Sequence, residues 1–116
     1  MTDTQANIYL SDRAGRHGIT LDDLMSMTPE NVADCPQEAM TFWEQRDISH
    51  ILPQSDYPWF ASDPSNMMPE DPSVNRSRGA DVMTDREVFI AEQDNLMLAD
   101  IIDTSSSFDY TFFGFA

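Results

Sequence analysis

The chain has no lysine. All six of its basic residues are arginines, set against twenty-one aspartates and glutamates, for a net charge of −15 and a pI near 4.1. Non-specific affinity for nucleic acid comes mainly from neutralised phosphates, so this balance argues against an autonomous DNA binder. The acidity is compatible with a salt-rich cytoplasm, with mimicry of DNA charge, or with an ordinary solvated surface. Cysteine is nearly absent too: Cys35 stands alone, which excludes an internal disulfide and a cysteine-based zinc cluster and makes a reducing, cytoplasmic setting the simplest expectation. No apolar run approaches the roughly 18 residues of a membrane span, and no basic start leads into an apolar stretch. Neither a membrane segment nor a signal peptide is expected. Over 116 residues, 41% of them hydrophobic, there is material for one small domain that borders on core-poor.

Against those absences, residues 50–79 (HILPQSDYPWFASDPSNMMPEDPSVNRSRG) gather histidine, asparagine and arginine among turn residues. Residues 47–52 (DISHIL) are short, β-branched and stopped by Pro53, which predicts a strand with His50 near its end. Residues 56–71 carry Pro58, Pro64 and Pro69 with Ser62, Asp63, Ser65 and Asn66, too broken for a helix or a central strand, and read as an ordered loop. Asp71 is a good N-cap, Pro72 suits a first helical position and Gly79 suits the residue after a helix end, so a short helix over residues 72–78 follows. On it Asn75 and Arg78 share a face, and Arg76 points elsewhere.

Strand, loop and short helix, with His50 on the strand, Asn66 in the loop and Asn75 on the helix, resemble the HNH endonuclease family, the ββα-metal finger. The likeness is greatest to the HNH domain of RNA-guided CRISPR effector nucleases, through His50-Ile51-Leu52-Pro53-Gln54-Ser55, then Asn66, then Asn75-Arg76, and it covers residues 47–87. The resemblance implies that His50 is the general base that activates water, that Asn66 braces the loop and so orients His50, and that Asn75 helps to hold a divalent metal, Mg²⁺ or Mn²⁺, on the scissile phosphate. In the same likeness Ser49 stands at the second metal-ligand position, where the family usually has Asp or His, and Arg76 or Arg78 would clamp the phosphate. A neutral hydroxyl is a poor ligand for a hard cation. Asp47 lies on the same strand face but about 6.5 Å further back.

The flanks are expected to support this unit. Residues 1–19 read as a mobile arm or a single strand, with only Ile8, Tyr9 and Leu10 to bury, and His17 as an ordinary surface histidine. Residues 20–46 form a helical lead-in: Thr20 caps LDDLMSM, a turn opens at Thr28-Pro29-Glu30, and residues 36–46 make a better helix with Ala39, Met40 and Trp43 on one face and Phe42 beside it. In the loop, Tyr57, Trp59 and Phe60 read as a hydrophobic plug before they read as stacking platforms for bases. Thr84 and Glu87 form a capping box for a helix over residues 85–102, whose stripe of Val88, Ala91, Asn95, Leu98 and Ile102 is widened by Ile90, Met97 and Ile101. Residues 47–103 thus hold the finger and its C-terminal helix. Residues 104–116, with five aromatics, either fold back as an edge strand alternating at Phe108, Tyr110 and Phe112 or dock into a partner.

The fold class expected is α+β, a small single domain with an HNH-like finger flanked by helices. Two functions of different kind follow. The first is an HNH-type metal-dependent nuclease whose partner is nucleic acid. The second is a non-catalytic acidic interaction or structural protein, for example an accessory part of a viral particle or larger complex, held by a protein partner or by self-association through its aromatic tail. A third, a DNA-mimic inhibitor, rests on charge alone.

Overall fold

The computed structural model describes residues 1–115, with side chains through Ser105. Its elements in chain order are α1 (Asp3–Arg16), α2 (Leu21–Ser26), α3 (Glu30–Ala33), α4 (Pro36–Glu44), β1 (Asp47–His50), 3-10 turns at Pro58–Phe60 and Pro64–Asn66, β2 (Met67–Glu70), α5 (Pro72–Arg78) and α6 (Asp85–Phe115). The fold is α+β: helices around one two-stranded antiparallel sheet among the described residues. Its register pairs Asp47 with Glu70, Ile48 with Pro69, Ser49 with Met68 and His50 with Met67.

Local chemistry explains where the elements start. Thr2 with Gln5, Thr20 with Asp23 and Thr84 with Glu87 form reciprocal capping boxes, each satisfying otherwise free amides of a first turn. The Asp71 carboxylate accepts from the amides of Ser73 and Val74 at 2.9 and 3.2 Å and so opens α5 at Pro72. Gly79 ends it with φ +61. At the end of α1, Gly18 has φ +70, and a Cβ there would meet Ser62 Oγ at 2.8 Å, so the central loop closes against a position only glycine fits.

The core lies between α1, α4, the sheet and α6. Trp43, Phe42, Leu10, Leu24 and Val32 are fully buried, and Ala6, Ala14 and Ala39 let α1 and α4 approach closely. Ile48 and Met67 come in from the sheet and Ala99 and Ile102 from α6. All four residues of β2 are buried, because α6 covers the strand. Pro69 has no amide to give to a neighbour, and its carbonyl accepts instead from Asn95 Nδ2 of α6 at 2.6 Å.

Four expectations change. Residues 1–19 are neither an arm nor a strand: Ala6, Leu10 and Ala14, four apart, make a helical stripe in which the two alanines carry the packing, a signal that large apolar residues alone do not show. The Tyr57, Trp59 and Phe60 cluster is no buried plug, since Trp59 is 70% exposed and the half-buried Tyr57 and Phe60 rings pack against it, one T-shaped and one tilted. Ile90, Met97 and Ile101 do not widen the packing stripe of α6 but stand exposed. Residues 104–115 continue α6 as helix, so the edge strand expected there is not formed. Docking of Phe108, Tyr110 and Phe112, and the structure of Ala116, lie outside the described residues.

Within the core the Trp43 indole donates to Thr28 Oγ1 at 2.9 Å, and that hydroxyl donates to the Leu24 carbonyl at 2.8 Å. Thr28→Val keeps the volume and strands the indole N–H. A loss of about 1–3 kcal/mol is expected in urea denaturation; a variant as stable as the parent would show that this bond carries no net stability.

Candidate functional site

His50 is fixed through both ring nitrogens. Its Nε2 lies 2.8 Å from the Ala61 carbonyl oxygen, which can only accept, so Nε2 carries the proton and Nδ1 the lone pair. The Gln54 amide donates to Nδ1 at 3.3 Å. The loop that supplies Ala61 is held by Asn66, a buried side chain. Its Oδ1 accepts from the Leu52 amide at 2.9 Å, and its Nδ2 donates to the carbonyls of Leu52 at 3.0 Å and Phe60 at 3.3 Å. Backbone bonds continue the pairing past the strands, from the Ile51 amide to the Asn66 carbonyl and from the Met83 amide to the Ile51 carbonyl, both at 2.9 Å.

Strand alternation puts the neighbours of His50 on the opposite face, under α5. There Asn75 bridges the two polar residues that β1 has on this face: its Nδ2 donates to Asp47 Oδ2 at 3.0 Å, and its Oδ1 accepts from Ser49 Oγ at 3.0 Å. Arg78, one turn further along α5, donates from one terminal nitrogen to Ser49 Oγ at 3.3 Å and to Glu70 Oε1 at 2.7 Å. Its other terminal nitrogen donates to Glu70 Oε2. Its Nε donates to Glu87 Oε2 at 2.8 Å. The guanidinium and the Glu70 carboxylate are 5% and 2% exposed, a bidentate buried pair of the strong, directional kind. Arg76 stands apart, 75% exposed and 3.6 Å from Asp47.

The titration of this cluster follows from its geometry. Glu70 first, then Glu87, hold the Arg78 proton well above the ordinary arginine range, although burial works the other way. The Glu87 carboxyl is held down at about 2, chiefly by the bond from Arg78 and then by the Thr84 amide. Beside the cluster is a cleft of about 370 Å³ lined by Glu70, Asp71, Arg78, Glu87 and Asp94 with Val74 and Ile90. Its carboxylates outnumber the one guanidinium on its wall, a balance that disfavours phosphate.

The donor set does not fit a divalent cation shared by Ser49 and Asn75. Asn75 Oδ1, the one amide atom able to ligate, already accepts from Ser49, and a fixed positive charge lies 3.3 Å from the Ser49 oxygen. Among the described residues no group of three or more His, Cys, Asp or Glu side chains is arranged to hold a metal ion. Arg78, with every nitrogen engaged, is not free to clamp a phosphate; Arg76 is the exposed arginine of the pair. Comparison with protein-family models, curated proteins and solved structures returns no match.

Glu70 carries no signal in the sequence that marks it as part of the site. Glu87 was legible as the far end of a capping box, and its pairing with Arg78 depends on how α6 turns back over the finger. Because the Glu87 carboxyl is lower in the fold than its ordinary 4.5, its contribution is present above that value and is lost as pH falls from about 4.5 towards 2. Glu87→Gln should therefore be less stable than the parent at pH 7 and converge on it in acid, in thermal melts across that range. A constant difference at every pH would mean that the Arg78 to Glu87 pair does not form.

Proposed function

We propose that the chain is a non-catalytic acidic interaction protein, built on an HNH-like ββα unit whose cation position is filled by an arginine. The observation that supports this most is the Arg78 guanidinium, buried between Glu70 and Ser49. In a metal-bearing finger a divalent ion would join strand and helix at this place; here a side chain of the helix itself does so. The arrangement gives a rigid ββα scaffold with an acidic outer surface, suited to holding a partner and poorly suited to phosphodiesters. The setting we infer is the cytoplasm or a viral particle, and the described residues contain no helix long and apolar enough to cross a membrane.

A specific observation favours a second reading, the HNH-type nuclease. His50 Nδ1 carries a lone pair beside a loop tied by Asn66, as a general base requires, and is open to water once the Gln54 amide turns aside. Phosphate would meet Arg76, and Mg²⁺ or Mn²⁺ would sit with Asn75 and Ser49 only once Arg78 had left Ser49. One assay separates the two: the full chain incubated with DNA or RNA in Mn²⁺, beside His50→Ala. No hydrolysis above that variant, and no change of thermal midpoint on adding Mn²⁺, is expected. Metal-dependent cleavage that disappears in His50→Ala and rises in Ser49→Asp would establish the nuclease instead.

A further inference from the structure

The outer face of α6 is apolar and uncovered among the described residues. Phe89, Ile90, Leu96, Met97 and Ile101 are 50–61% exposed, and their spacing of one, seven, eight and twelve from Phe89 places them on one side of a helix. On the opposite side Ala91, Asn95, Ala99 and Ile102 are buried against the domain. The helix is therefore apolar on two faces, and the domain uses one. The exposed stripe is about 18 Å long at 1.5 Å per residue, and at its distal end Leu96, Met97 and Ile101 line a shallow groove with Gln93, Asp100, Thr104 and Ser105. Gln93 and Asp100 lie between its two apolar rows, yet five large apolar side chains gathered on one side of a helix differ from the isolated exposed residues that any surface carries.

Charge indicates what covers it. Between Asp85 and Ser105 the sequence has six carboxylates against Arg86 alone; Glu87 and Asp94 are paired with Arg78 and Arg46 of the domain, which leaves Asp85, Glu92, Asp100 and Asp103 along the helix. A second copy would bring a further −15 and set the same acidic margins against each other. A helix with an apolar stripe between rows of Lys and Arg would match both features, since ridges of i, i+3 and i+4 side chains seat on a helix face and opposite charge steers and orients the encounter. We propose that this face of α6 is a docking site for a basic amphipathic helix of another protein. The proposal deepens the reading of the chain as an interaction protein and rests on it.

The test uses the full chain and a fluorescent synthetic peptide, an amphipathic helix with leucines on one face and Lys and Arg on the other, followed by anisotropy. Saturable binding is expected, weakened at least about thirtyfold by Met97→Ser with Ile101→Ser, the size of one interface hot spot. Both positions are exposed, so the thermal midpoint should not move. Equal binding of a scrambled peptide of the same composition, an unaffected double variant, or no binding overturns the proposal. Sedimentation showing a dimer that the same substitutions dissociate would also overturn it, by assigning the stripe to a second copy. His50-dependent hydrolysis together with stripe-dependent peptide binding would sink the non-catalytic reading while leaving the docking site in place.

Discussion

A guanidinium buried between two carboxylates governs the unit of β1, β2 and α5. Arg78 joins β2 through Glu70, β1 through Ser49 and the start of α6 through Glu87, from its own position on α5. Taking these charges out of water costs several kcal/mol per ion unless each is paired and its hydrogen bonds are satisfied, and breaking such a pair is worse than never having built it. Glu70 depends on it most: a buried carboxylate at the end of β2 has no way to remain there without Arg78. The orientation of α5 across the sheet and the entry of α6 thus follow from one side chain.

The lack of lysine acquires a structural sense from the other arginines. Arg13 of α1 donates to the carbonyls of Trp43 at 2.7 Å and Arg46 at 2.5 Å, closing the end of α4, and its guanidinium lies 5.7 Å from the Trp43 ring centre. Arg46 lies over the Phe42 ring and pairs with Asp94 of α6 at 2.6 Å. A planar fork with several donors can satisfy a helix end and a carboxylate while stacking on an aromatic face, which a single ammonium cannot do. Three of the six arginines therefore work as internal fasteners in a chain whose surface is left to carboxylates.

The finger was the most legible region because its signals are local. The cap at Asp71, Pro72 at the first position and Gly79 at the end fix α5 over the same residues that the sequence indicates, and the shared face of Asn75 and Arg78 follows from helical spacing alone. The strand at Asp47–His50 ends two residues before the expected limit, because beyond it the partner residues belong to the turn at Asn66. What the sequence could not show is tertiary. Alanine stripes look unpromising until α4 is there to receive them, so α1 was hidden. Which apolar face of α6 packs inward depends on where the sheet lies. That Arg78 turns inward rather than out to a phosphate depends on Glu70, a residue that reads as an ordinary surface glutamate in the run MMPED.

The most direct measurement of this account is a double-mutant cycle between Glu70 and Arg78, with Glu70→Gln, Arg78→Met and the combined variant compared in urea denaturation. Residues in one hydrogen-bonded network couple by about 0.5–3 kcal/mol, whereas independent sites add to within about 0.3–0.5 kcal/mol. A coupling above about 1.5 kcal/mol, with the double variant losing less than the two single losses combined, is what a guanidinium that ties strand to helix predicts. Simple additivity would contradict it.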